Sequence, residues 1–435
     1  MNPLAKKLNR DIKASNSIVY DILSKKGREM FYPSHGILAQ AAEAKGKKIN
    51  ATIGIALEEN GEILCLDSIS SNVNLPKNEV FNYVPSYGKI NLRKKWQELI
   101  FKKNPSLKGE KISLPVVTNA ITHGLSMCGY LFLNKGDEVI IPSPFWGNYR
   151  FIFDNAYGSK IVNFPIFDSG RFNVEGLKKI LNKRGRKKVL LLNFPNNPTG
   201  YTPLEEDIPK IVKTIKTAAQ NGKKIVVLID DAYFGLIYEN NVYKESIFSE
   251  LCKVHKNVLA VKIDGVTKED YAWGLRVGFV SYGIKSGNDK LYSALADKTG
   301  GAVRGNISNA PNISQSLVLS SFKDSKYNSQ KAKKYAILKK RANKVKQILK
   351  KHPEYRDEFE ALPFNSGYFM CIVLKNHDPE KIRNILLDKY DTGTIAFPGL
   401  LRVAFSATPY NLLEELFENI YLHYFLIYIP FIIRK

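Results

Sequence analysis

Seven short runs, mostly apolar and rich in β-branched residues, recur between positions 112 and 283. They are ISLPVVTN (112–119), DEVIIPSP (137–144), SKIVNFPI (159–166), KVLLLNFP (188–195), KIVVLIDD (224–231), NVLAVKID (257–264) and RVGFVSYG (276–283). Nearly continuous apolar runs, rather than alternating ones, mark strands covered on both faces. Between them, stretches such as NVEGLKKILNK and EEDIPKIVKTIKTAAQ repeat apolar residues at helical spacing. The pattern predicts an α/β fold built on a mostly parallel seven-stranded sheet, with helices on both faces.

Segments on either side of this block predict a smaller α/β domain assembled from both chain ends. The expected division is 1–70 for an N-terminal arm and part of that domain, 71–320 for the large domain, and 321–435 for the rest. NSQKAKKYAILKKRANKVKQILKKHP (328–353) reads as a helix joining the two, with Tyr335, Leu338, Val345 and Leu349 on one face and its lysines in solvent. The C-terminal IYLHYFLIYIPFII (420–433) holds 14 uncharged residues interrupted by Pro430. A spanning helix needs about 18–20, so a buried or interfacial tail is expected.

Composition narrows the classes. Of 435 residues, 44% are hydrophobic and 24% charged, which is ordinary globular usage and excludes a disordered or fibrous chain. Sixty-five Lys plus Arg against 41 Asp plus Glu give a formal charge of +24, compatible with nucleic acid, a membrane surface or small anions. Neither zinc-finger spacing nor an aromatic-glycine RNA-binding signature accompanies it, so specific nucleic-acid binding is not expected. Cys65, Cys128, Cys252 and Cys371 are far apart and suggest neither a metal site nor a disulfide framework. With no secretory pattern at the start, a cytoplasmic protein is expected.

Ligands of doubly wound sheets sit beyond the carboxyl ends of the strands, and the chemistry of this chain lies in those turns. TNAITHGL places Ile121 and Thr122 where a helix begins, suited to phosphate. PSPFWGNY supplies Trp146 as a ring face, and NFPNNPTGY holds Asn196 and Asn197 between prolines. Asp230 ends an apolar run, where a carboxylate calls for a cationic partner, and Tyr233 follows three positions later. GVTKEDYAWGLRVG then brings Lys268, an amine able to form a Schiff base, and Arg276, a permanent cation. Taken singly, each has a bland reading as a turn, a cap or core. Together they would all engage a phosphorylated pyridine aldehyde.

These residues resemble the class I/II aminotransferases of the fold-type I pyridoxal phosphate (PLP) enzymes, of the aspartate aminotransferase kind. The resemblance runs from about Lys48 to Tyr421; NNPTG, DDAY and the pattern of Lys268, Gly274, Arg276 and Gly278 are its most specific parts. It implies a large domain that binds PLP, with Lys268 as its covalent anchor, Asp230 on the ring nitrogen, Asn197 and Tyr233 on the ring oxygen, and Trp146 stacked. Ile121, Thr122 and Arg276 would hold the phosphate, joined across a homodimer interface by Tyr83 of YVPSYGKINLR. Gly54 and Arg402 would flank the substrate carboxylate. Three positions depart from the family pattern: Gly265 and Thr267 stand where serines are usual, and Ala120 where glycine is.

The same resemblance implies an enzyme that moves an amino group between an L-amino acid and a 2-oxo acid by a ping-pong mechanism, in amino acid metabolism. Arg304, in AVRGNISNAP, resembles the arginine that reads a side-chain carboxylate from the neighbouring subunit, which would favour aspartate or glutamate. The same electron sink also serves PLP lyases, such as a C–S β-lyase, and decarboxylases. A non-catalytic basic protein on this fold is the remote alternative.

Overall fold

The structure is a computed structural model; it describes all residues except 33–35, 376 and 433–435. All seven apolar runs enter one sheet. Its strands are β1 (Val116–Asn119), β2 (Glu138–Ser143), β3 (Lys160–Pro165), β4 (Lys187–Asn193), β5 (Lys224–Asp230), β6 (Val258–Gly265) and β7 (Val277–Gly283), in the order β1-β7-β6-β5-β4-β2-β3. Only β7 runs against its neighbours. Buried Leu190, Val227, Val261 and Phe279 fill the sheet's interior.

Register sets the strand ends level. Asn193 faces Asp230, Asp230 faces Ile263, Gly265 faces Gly278, and Asn119 faces Val277. Four parallel strands therefore finish on the edge where the antiparallel β7 begins. Helix α1 (Ala120–Phe132) starts from that edge and lies on β6 and β7. Gly278 permits the approach, since a Cβ there would stand 2.5 Å from the Ala120 carbonyl carbon and 2.8 Å from the Ile121 nitrogen.

A second, antiparallel sheet comprises β8 (Phe359–Ala361), β9 (Phe369–Leu374), β10 (Ile395–Phe397) and β11 (Leu400–Ala404), in the order β8-β9-β11-β10. Residues Ile49–Asn50 pair in parallel with Thr392–Gly393, so early and late segments of the chain meet beside this sheet. The turn after β4 contacts it directly. Gly200 is left-handed (φ +70°), and a Cβ there would lie 1.9 Å from the Phe369 carbonyl oxygen, so only glycine fits.

The long basic helix forms as expected: α2 spans Tyr327–Lys351, with Leu338 and Val345 buried and Tyr335 and Leu349 partly so. Its lysines are not simply solvated. Lys331, Lys334, Lys344 and Lys346 pair with acidic residues from elsewhere in the fold, and Arg341 is fully buried. The final helix runs Leu413–Ile432 with Leu416, Phe417 and Ile420 buried; the expected tail continues it, and its side chains beyond 422 lie outside the described residues. Among the described residues no helix is long and apolar enough to cross a membrane. The four cysteines are free.

Directly beneath the sheet edge lies a buried ionic group. Lys262 of β6 is fully buried, pairs with Asp231, and stands 3.3 Å from Asp264. Ser246 donates to Asp231 at 2.6 Å and the Trp96 indole donates to Asp264 at 2.9 Å. Burial pushes Asp231 up to about 6 even so. Removing one partner of such a group leaves uncompensated buried charge. Lys262→Met is therefore expected to lose about 3–5 kcal/mol of stability, read as a lower denaturant midpoint at neutral pH; an unchanged midpoint would contradict this assignment.

Candidate active site

The turns at this edge enclose a cavity of about 180 Å³. Asp230, Tyr233 and Lys268 line it from the β5 and β6 ends, Asn197 from the turn after β4, and Trp146 from the turn after β2. Ile121 and Thr122 enter from the start of α1, Gly54 from the N-terminal side and Arg402 from β11. Nine of the expected positions thus meet in one space.

Asp230 is 3% exposed. The Tyr149 hydroxyl donates to it at 2.6 Å and the Ala232 amide at 3.1 Å. Burial raises its carboxyl above the usual range, against the Tyr149 hydrogen bond and the Lys268 charge. No ion pair neutralises it among the described residues. A buried carboxylate without a direct ion pair is costly, and Lys268 acts on it only across the cavity, so this one suits a cationic group seated between them.

Lys268 sits in the short helix Val266–Glu269, half-buried and opening on the cavity. Burial of its amine pulls it down to about 8, Asp230 opposes that fall, and Arg276 adds to it. The nitrogen lies 5.4 Å from the centre of the Tyr233 ring. Burial pushes the Tyr233 phenol up, so it stays protonated. That ring is held edge-on by Tyr368 and Phe369, at 5.2 and 5.8 Å between centres.

On the opposite side, Arg402 is 2% exposed with no carboxylate partner among the described residues. Nη1 donates to the Asn197 side-chain oxygen at 3.2 Å and Nη2 to the Thr52 carbonyl at 2.9 Å, while Nε is buried without a partner. Its guanidinium lies 4.1 Å from the Phe369 ring centre. A desolvated, oriented fork of this kind suits a carboxylate. Asn196, by contrast, serves its own turn, accepting from the Thr199 amide and hydroxyl at 3.2 and 2.8 Å.

The start of α1 has no side-chain cap, which leaves its first amides free. Ala120 adopts φ +64°, a left-handed conformation that costs about 1–2 kcal/mol for a non-glycine residue. That is why glycine is natural there. Gly265 stands where a Cβ would be 2.5 Å from the Val277 carbonyl oxygen, so this backbone excludes a serine. The neighbouring Thr267 hydroxyl is buried without a partner.

Three expected residues stand outside the lining. Arg276 is left-handed (φ 55°), exposed, and donates to the Trp273 carbonyl at 3.3 Å. Tyr83 is 91% exposed, and Arg304 is exposed on the helix Asp289–Ile307. Conversely, Tyr149, Asn193, Phe369 and Ile37 line the cavity unforeseen. Asn193 donates to the Asp230 carbonyl at 2.8 Å and accepts from the Asn197 amide at 2.8 Å, locking two adjacent turns together. Tyr149 had one faint signal, its place three residues after Trp146 in the same turn.

The family model described as aminotransferase class I and II matches residues 46–420. The chain belongs to the class I and II aminotransferase family. Members of that family are PLP-dependent, and PLP is the cofactor this site accommodates: it offers an unpaired acid, a desolvated lysine, free helix amides and a ring wall in one cavity. An aspartate aminotransferase of Musicola paradisiaca is 28% identical over 212 residues, 49% of this chain and 50% of that protein. A probable aspartate/prephenate aminotransferase of Aquifex aeolicus is 24% identical over 76% of this chain and 81% of its own length. The chain thus spans only about half the length of the first of these relatives. A crystal structure of an aminotransferase from Anaerococcus prevotii superposes with a TM-score of 0.81 at 21% identity, over 92% of this chain and 99% of that one, a likeness of fold.

The site's charge balance is open to test in the cofactor-free protein. Pulse labelling with an amine-reactive reagent should find Lys268 titrating with a midpoint near 8, where it loses its proton well before a surface lysine does. Asp230→Asn should move that midpoint further down, because the carboxylate that favours the charged amine is gone. A Lys268 midpoint in the ordinary lysine range would contradict the described burial.

Proposed function

We propose that this chain is a PLP-dependent aminotransferase that moves an amino group between an L-amino acid and a 2-oxo acid in two alternating half-reactions. The observation that carries this is a pair of buried charges without a salt-bridge partner among the described residues, Asp230 and Arg402, facing one cavity that also holds a desolvated Lys268.

When bound, PLP supplies a sink for the negative charge that develops at the substrate α-carbon. The Asp230 carboxylate, held in orientation by Tyr149, would keep a proton on the ring nitrogen. Asn197 and the protonated Tyr233 would hold the ring oxygen, and Trp146 would cover the ring. The phosphate would fall to the free amides of Ile121 and Thr122, with the Thr122 hydroxyl and Arg276. Arg402 takes the substrate carboxylate beside Gly54, its fork steadied by Asn197, Thr52 and the Phe369 ring. Lys268 would anchor the cofactor, and its amine, which burial brings down to about 8, is the group in the cavity suited to accept and hold the substrate α-proton.

The working unit in this reading is a homodimer in the cytoplasm. Phe81 and Tyr83 are 81% and 91% exposed, as suits a segment that meets a second copy and reaches its phosphate. Arg304 has the same supporting feature for reading an acidic side chain across that interface, and gives aspartate or glutamate as donors.

Purified protein assayed against a panel of amino donors, with and without a 2-oxo acid acceptor, tests the whole reading. Transfer should require the acceptor, Lys268→Ala should abolish it while remaining folded, and Arg304→Leu should impair acidic donors selectively. Ammonia release without an acceptor would replace transamination by elimination. Equal losses on leucine and aspartate would remove the role given to Arg304.

A further inference from the structure

Lys268 is followed by two acids, Glu269 and Asp270, which are 3% and 1% exposed. Neither faces the cofactor cavity. Glu269 accepts from Lys103 at 2.9 and 3.0 Å and from Lys331 at 2.8 Å. Asp270 accepts from the same Lys331 at 2.9 Å and from the Tyr327 hydroxyl at 2.5 Å. Lys331 therefore bridges the two residues next to the reactive lysine. Burial would raise Glu269, but the two ammonium groups prevail and hold it down to about 2.

The chain here needs such a hold. Tyr271 and Arg276 are both left-handed, at φ 54° and 55°, so the turn between the amine and the expected phosphate cation is strained at two non-glycine positions. Strain of that kind persists only where surrounding contacts over-determine the backbone. Contacts on the Lys268 carbonyl come from this same turn and from the second sheet: it accepts from the Asp270 amide, from the Tyr271 amide at 3.3 Å and from the Tyr368 hydroxyl at 2.9 Å.

Lys331 belongs to helix α2, whose same face continues through Lys334, Leu338 and Arg341 at helical spacing. Lys334 pairs with Glu58 and Arg341 with Glu59, which follow Gly54. Arg341 also donates to the Ser406 carbonyl at 2.6 Å, just past the strand that carries Arg402, and the Ser406 hydroxyl returns to the Ile55 carbonyl at 2.8 Å. One helix face thus holds the lysine's turn, the Gly54 segment and the end of the Arg402 strand.

We infer that Lys331 is a positioning residue for Lys268, and that α2 is the bar which aligns this amine with the substrate-carboxylate side of the cavity. The inference rests on the function proposed above for Lys268 and Arg402. Glu269 and Asp270 act through the backbone, and Lys103 shares the load on Glu269. Part of the positive charge of α2, at Lys331, Lys334 and Arg341, is internal structure, while Lys333, Lys340, Lys350 and Lys351 are exposed as the solvated face expected from the sequence.

The test measures the Lys268 labelling midpoint in cofactor-free protein, alongside kcat and KM of the loaded enzyme, for Lys331→Met, Lys331→Arg and Lys331→Met/Asp270→Asn. The double variant removes one charge of each sign, so it remains informative if the single variant fails to fold. Loosening the turn admits water to the amine, so the midpoint should rise from about 8 toward the ordinary lysine range in both Met variants. Misplacement of the amine should lower kcat by about 10–100-fold with KM little changed, and Lys331→Arg should recover part of both. A folded double variant with wild-type midpoint and wild-type kcat would overturn the inference. The midpoint needs no turnover, so absence of transamination in the wild-type enzyme would sink the proposed function without deciding this one.

Discussion

The arrangement of this molecule depends on charge buried without a direct ion-pair partner. Asp230 ends a strand of leucine, isoleucine and valine with a tyrosine and an amide for company, and Arg402 lies against a phenylalanine ring with one nitrogen unpartnered. In water either would be unremarkable; inside a protein each penalises the fold until something of opposite sign arrives. Elsewhere the same protein puts its buried charges in direct ion pairs, Lys262 with Asp231 and Asp264, and Lys331 with Glu269 and Asp270. The contrast between directly paired charges and charges without a salt bridge separates scaffold from site. A ligand with a cationic ring nitrogen and a carboxylate would supply the missing partners.

Geometry makes that possible with little extra chain. Parallel strands that finish level, with β7 returning between β1 and β6, bring residues from five separate turns to one edge. Glycines then remove the obstacles: Gly278 lets α1 aim its amides at the edge, and Gly200 lets the turn after β4 touch the second sheet. Helix α2 completes the frame from the other side, through pairs that span both sheets' surroundings.

Most of the large sheet was legible in the chain because nearly continuous apolar runs leave few alternatives, and because turn chemistry collects where such strands end. Nine candidate positions could be found for that reason. What escaped notice has a common physical cause. Tyr149 meets an acid 81 residues away, and neither partner's neighbourhood advertises the other. Lys331 was read as solvated, and Arg341 passed unnoticed, because periodicity registers apolar residues and is blind to a charged one whose partner comes from a distant segment. Gly265 reads in sequence as a missing hydroxyl, whereas the fold shows a backbone crossing too close for any side chain. Arg276, Tyr83 and Arg304 lie exposed outside the cavity lining, and the partners proposed for them are a cofactor phosphate and a second subunit.

The proposed chemistry of the site turns on Lys268, the desolvated amine that lines its cavity. Incubating the purified protein with PLP, reducing it with borohydride and mapping the modified peptide tests this most directly. Stoichiometric pyridoxyl label is expected on Lys268, lost in Lys268→Ala without transfer to a neighbour. Stoichiometric label on another lysine, or an unmodified Lys268 in folded protein, would contradict it.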